Sequence, residues 1–216
     1  MRVNATFAAV LGLALFGGAV DAQQSNPAHT HMGHVSDGFR GTPEGQGLLP
    51  TAVAEAEIAA RHAGLAARDP SNLEAMQNHT RHVLHAIDPS TVENGPGLGY
   101  GVKPAAAGVA RHIELAAAAE GASDAVTTHA THVATAAGNV VARSDRIIEL
   151  GNQILAATSA SDAASTLEEL NAVAQQLVPG TDANGDGRTG WQEGEGGLEQ
   201  AQTHMGLMRT AEGLGG

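Results

Sequence analysis

Apolar residues recur every three to four positions along most of the chain after residue 50, and polar residues fill the positions between them. This period is typical of amphipathic helices, each of which buries one face. Pro-Ser, Gly-Ala-Ser and Pro-Gly segments interrupt the pattern and mark turns. The pattern therefore predicts an all-α protein with helices over 51–68, 71–87, 104–120, 124–157, 161–178 and 197–212.

The first four of these helices contain an internal repeat. Residues 60–86 align without gaps with residues 110–136, and eleven of the 27 positions are identical. The identities include three histidine pairs, an arginine pair and a leucine pair, which an alanine-rich composition does not produce by itself. We therefore expect an antiparallel helical bundle over 51–178, built from two repeated helical hairpins.

The repeated histidines fall on the apolar faces of these helices. His62 follows Ile58 by one turn, and His79 follows Met76 in the same way. Counting from the turn between the helices places His62 and His79 at similar heights, and the second copy repeats this arrangement. We therefore expect one inward layer of four imidazoles, from His62, His79, His112 and His129. Two more imidazoles, from His82 and His132, are expected one turn away.

Imidazoles that converge without thiolates suit copper, zinc or nickel. Haem b held between two opposed histidines is a second possibility, although the chain has few aromatic residues to line a porphyrin. The third possibility is that the histidines only pack in the core, in which case they must stay neutral and pair with one another. In that case the protein would be a calcium-stabilised interaction module.

A second site is indicated by residues 182–193, which read DANGDGRTGWQE. This segment resembles the EF-hand calcium-binding loop, and the resemblance covers these twelve residues only. It implies Ca²⁺ ligands at Asp182, Asn184, Asp186, the Arg188 carbonyl and Glu193. Thr189 and Gly194 depart from the usual pattern of paired EF-hands, so the loop is expected to brace the C-terminal helices around it over 179–216.

Residues 1–22 have the form of a signal peptide. Arg2 precedes an apolar run from Ala5 to Val20, and small residues flank the expected cleavage before Gln23. We therefore expect an exported protein, periplasmic or secreted, with no membrane span once the signal is removed. Residues 23–50 contain several prolines and glycines and are expected to form a disordered arm.

The composition excludes several classes of function. The chain has no cysteine, a formal charge of -12 and 11 histidines among 216 residues. Disulfides and thiolate metal sites are therefore impossible, and nucleic acid is an unfavourable partner. No motif of a known enzyme class occurs. The histidines and the calcium-type loop are then the main candidate sites, so metal ions are the expected ligands. Further metal ligands are expected in the arm and in the last helix, at His31, His34, His204 and Met205.

Overall fold

The computed structural model describes residues 26–215, and within this range it contains seven α-helices and no β-strand. The predicted all-α class is confirmed. The six predicted helices begin and end within a few residues of the positions that the apolar period predicts, and α1 was not predicted. Their bounds are α1 Pro27–Ser36, α2 Leu48–Ala66, α3 Leu73–Ile87, α4 Val102–Ala117, α5 Asp124–Ala156, α6 Ala160–Gln175 and α7 Leu198–Ala211.

Short polar side chains fix where several helices start. Asn72, Ser123 and Ser159 each accept a hydrogen bond from a backbone N–H in the first turn of α3, α5 and α6. These N–H groups have no partner inside the helix, so a capping oxygen stabilises the helix end by about 1 kcal/mol.

Helix α5 organises the fold because it packs against α3, α4, α6 and α7. Its 33 residues extend about 50 Å at 1.5 Å per residue. Gly151 lets α3 approach closely, since a Cβ there would lie 2.7 Å from Cδ2 of the buried Leu84. Helix α2 packs against α3 and α4, so the apolar faces of the bundle enclose one continuous core.

The segment expected to be a disordered arm is helical over Pro27–Ser36. Asn26 caps this helix, and Ala28, Met32 and Val35 are fully buried. Helix α1 packs mainly on α4 and also contacts α2 and α7. The expectation of disorder was wrong because it weighed the prolines and glycines of residues 23–50 more heavily than three apolar residues on one helical face.

Two further expectations concern the N-terminus and membranes. The predicted signal peptide, residues 1–22, lies outside the described residues. None of the helices within 26–215 combines the length and the apolar character that crossing a bilayer would require.

Candidate metal centres

Nine of the eleven histidines form three clusters of three. In each cluster, every residue offers one ligand atom, and these atoms lie within 4.8 Å of one another. The clusters lie between different helix pairs, and all nine side chains are half-buried. Cluster 1 is His31, His34 and His112; cluster 2 is His62, His79 and His82; cluster 3 is His129, His132 and His204.

All three clusters share one plan. One helix contributes two histidines three residues apart, and a neighbouring helix contributes the third. Residues at this spacing lie on the same face of a helix, one turn apart, so both rings reach the partner helix. The paired histidines come from α1, α3 and α5, and the single histidines come from α4, α2 and α7 respectively.

The Nδ1 atom of the single histidine approaches both Nδ1 atoms of its pair. The distances from His112 are 3.0 Å to His31 and 3.3 Å to His34. From His62 they are 3.1 Å to His79 and 3.2 Å to His82. From His204 they are 3.1 Å to His129 and 3.3 Å to His132.

These distances match the spacing of ligands around a tetrahedral metal ion. A Zn–N bond of about 2.0 Å places two ligand nitrogens of a tetrahedron about 3.3 Å apart. In each cluster, two of the three nitrogen–nitrogen distances have this spacing, and the third, between the two histidines of the pair, lies within 4.8 Å. The three nitrogens can therefore serve as three ligands of a tetrahedral ion and leave the fourth position free for another ligand. Each cluster could therefore hold one transition-metal ion without rearrangement of the helices.

For six of the nine rings, the electrostatic environment favours the neutral form that binds metal. Burial lowers the pKa of His62, and the neighbouring His82, His79 and Arg61 lower it further. Burial, assisted by His132 and His129, lowers the pKa of His204 to about 4. Neutral imidazole has a free lone pair, so it can ligate a metal at neutral pH. The same two causes, burial first and then neighbouring histidines, also lower the pKa values of His31, His82, His112 and His132.

The expected single layer of four histidines is not what the structure contains. His62 and His79 lie together, but His112 belongs to cluster 1 and His129 to cluster 3. The reason is that α1 contacts the face of α4 that carries His112, while α7 contacts the face of α5 that carries His129. The two hairpin copies therefore have different partners.

The two remaining histidines lie outside the clusters. His29 Nε2 is 2.7 Å from a carboxylate oxygen of Glu212, which ties α1 to the end of α7. His85 is buried and only 6% exposed. Its ring packs closely against Gly95 and Gly97 in the loop that follows α3. These two residues serve as natural controls for the clusters.

The cluster geometry does not suit haem. A bis-histidine haem has its two axial nitrogens on opposite faces of the porphyrin. The shortest distances between neighbouring Nδ1 atoms in the three clusters are only 3.0–3.1 Å. No porphyrin plane fits between rings at that separation.

The calcium-type loop, residues 182–193, contains no helix or strand and is exposed except at the half-buried Thr189, Gly190 and Trp191. The Asp182 carboxylate accepts hydrogen bonds from the backbone N–H groups of Gly185, Asp186 and Gly187. Within the described residues, the carboxylates of Asp182, Asp186 and Glu193 do not converge as the histidines do. Helix α6 ends at Gln175 and α7 begins at Leu198, so neither helix directly abuts the loop.

All nine cluster histidines were predicted as possible metal ligands, with His31, His34 and His204 as auxiliary ones. The spacing His31-x-x-His34 is the same as that of His79-x-x-His82 and His129-x-x-His132. This shared spacing is the signal in the sequence that indicates three histidine pairs and therefore three centres. Met205 was also expected near a metal, but it is 2% exposed and forms part of the hydrophobic core.

No family model, curated protein or solved structure matches this chain.

Proposed function

We propose that the protein binds copper, zinc or nickel, with up to three ions per chain, one in each histidine cluster. The observation that carries this proposal is the threefold recurrence of Nδ1 atoms at 3.0–3.3 Å between otherwise different helix pairs. Imidazole suits these three metals. A hydrogen bond between two imidazoles has a similar length. One Nδ1 atom carries either one N–H or one lone pair, so it cannot form two well-aligned bonds of this kind, whereas one metal ion can bind all three nitrogens.

The proposal is tested by counting metal ions on the purified chain with native mass spectrometry and elemental analysis. We expect three ions per chain, and loss of one ion in each of the variants His62→Ala, His112→Ala and His204→Ala. His29→Ala is the matched control and should retain all three, since His29 contacts Glu212 instead. A folded protein that takes up no Cu²⁺, Zn²⁺ or Ni²⁺ would overturn the proposal.

We further propose that residues 182–193 bind Ca²⁺, which the spacing of Asp182, Asn184, Asp186 and Glu193 supports. Trp191 lies inside the loop, so bound Tb³⁺ should show emission sensitised by its indole. The double variant Asp182→Asn, Asp186→Asn should abolish that emission and leave the three transition-metal ions in place. Absence of sensitised emission from the unmodified chain at millimolar Tb³⁺ would refute the calcium site.

We propose that the protein is exported, on the basis of residues 1–22 alone. The mature chain would then begin at Gln23, and N-terminal sequencing of protein recovered outside the cytoplasm would show it.

A further inference from the structure

The three clusters differ in the aromatic residues around them. In cluster 3, the indole of Trp191 stacks on His132, with ring centroids 4.0 Å apart and planes inclined by 23°. In cluster 1, Phe39 packs edge-on against His34 at 5.6 Å and against His112 at 5.2 Å. Among residues 26–215, the rings of cluster 2 have aromatic contacts only with one another.

The two aromatic neighbours are themselves held in place. Asn139 on α5 binds the backbone on both sides of residue 193, through the Gln192 carbonyl and the Gly194 N–H. The Arg143 guanidinium donates hydrogen bonds to the backbone carbonyls of residues 194, 195 and 196. The backbone N–H of Phe39 donates to the carbonyls of Gly45 and Gln46, which close a tight turn.

A ring that is held by a fixed neighbour has little freedom to rotate away from a bound ion. Metal release requires the ligand rings to swing apart one after another, so a packed aromatic neighbour slows this step. It also reduces the rotational freedom that the imidazole would lose on binding. The rings of cluster 2 have no aromatic neighbour of this kind among the described residues.

We infer that the three centres are kinetically distinct, with cluster 2 as the centre that exchanges metal and clusters 1 and 3 as slow, retaining centres. Trp191 and Phe39 act as positioning residues for the ligand rings. This inference rests on the proposed function, because it requires that all three clusters bind metal. Under this inference, bound metal leaves the protein mainly through cluster 2, whereas three equivalent sites would release it at one rate.

The test uses the full chain loaded with Zn²⁺ and mixed with excess chelator, with release followed by a chromophoric indicator. We expect one ion to leave at least about ten times faster than the other two. His62→Ala should remove the fast phase. Trp191→Ala and Phe39→Ala should each convert one slow ion into a fast one, with three ions still bound at the start.

Two controls separate this effect from general loosening of the fold. Trp191→Phe keeps an aromatic face against His132 and should keep the slow phase. Leu207→Ala changes a residue on α7 that is 49% exposed and should leave all phases unchanged. Circular dichroism of each variant verifies that the helices are intact.

The outcomes are distinguishable from failure of the proposed function. A chain that binds no Zn²⁺ refutes metal binding itself. Three bound ions that leave at a common rate, or a fast phase that survives His62→Ala, refute the kinetic distinction and leave metal binding intact.

Discussion

At the scale of the residue, the main feature is a set of half-buried imidazoles, six of which have a lowered pKa. Two effects keep a proton away from these rings, namely loss of hydration and the proximity of other histidines. Without a cation, nitrogens at 3.0–3.3 Å must pair an N–H with a lone pair, and the choice of tautomer limits how many pairs can form. A metal ion would satisfy all three lone pairs together.

We predict that the metal-free protein loses stability as the pH falls from about 6.5 toward 4. The unfolded chain binds a proton on His204 near pH 6.5, whereas burial lowers the pKa of this residue in the folded protein to about 4. In that interval the unfolded state binds more protons, so acid favours unfolding; above 6.5 this effect vanishes. Urea unfolding at several pH values measures the free energy.

The variant His204→Gln isolates this contribution, because carboxylates also titrate at the lower end of the range. The free energy of unfolding should fall less steeply with acid in His204→Gln than in the unmodified protein. Parallel curves for the two proteins would contradict the prediction.

At the scale of the element, each centre depends on the docking of one helix against another. Helix α1 is the clearest case, since it contributes two of the three ligands of cluster 1 from only ten residues. A helix of this length is marginal alone in water. Its position therefore depends on Ala28, Met32 and Val35, and on the ion pair between Asp37 and Arg209.

We predict that Met32→Ala detaches cluster 1 selectively. Met32 is fully buried, and truncating such a side chain costs about 2–5 kcal/mol. This loss of stability weakens the docking of α1, which carries two ligands of cluster 1. The chain should therefore bind two ions instead of three, and the α1 amides should exchange hydrogen faster. Native mass spectrometry and hydrogen exchange report these two effects.

Leu170→Ala is the matched control for Met32→Ala. Leu170 is fully buried in α6, which contributes no cluster histidine. This variant should lower the overall stability but still bind three ions. Equal ion counts in Met32→Ala and the unmodified protein would show that α1 docking does not build cluster 1.

At the scale of the whole molecule, the hydrophobic core and the histidine clusters occupy different places. The core is built from buried aliphatic residues that all seven described helices supply, whereas the cluster side chains are half-exposed. Burial of apolar surface at about 25 cal/mol per Å² provides the driving force for folding. We therefore expect the bundle to keep its helices together without metal, in contrast to small zinc domains.

The fold also explains why three centres arise from two repeated hairpins. Helix α5 packs on both α4 and α7, and α4 packs in turn on α1. Each helix with a histidine pair thus meets a different helix with a single histidine. The helices that flank the repeat, α1 and α7, supply the ligands that complete the second copy.

The sequence by itself determined the helices and the ligand types. Apolar spacing and capping residues act over one or two turns, so they determine six of the seven described helices locally. The exception is α1, because prolines and glycines surround its short apolar face. Histidine pairs at a spacing of three, such as His79 and His82, lie on one helical face whatever the fold. The absence of cysteine excluded thiolate ligands in the same way.

Only the tertiary structure decided which histidines meet. The distance between His112 and its partners His31 and His34 depends on how α1 docks, across 78 residues or more of chain. Local periodicity contains no information on such contacts, because burial is non-directional and many helix pairings bury similar areas. For this reason the sequence predicted a shared layer of His62, His79, His112 and His129, whereas packing divides these four among three centres.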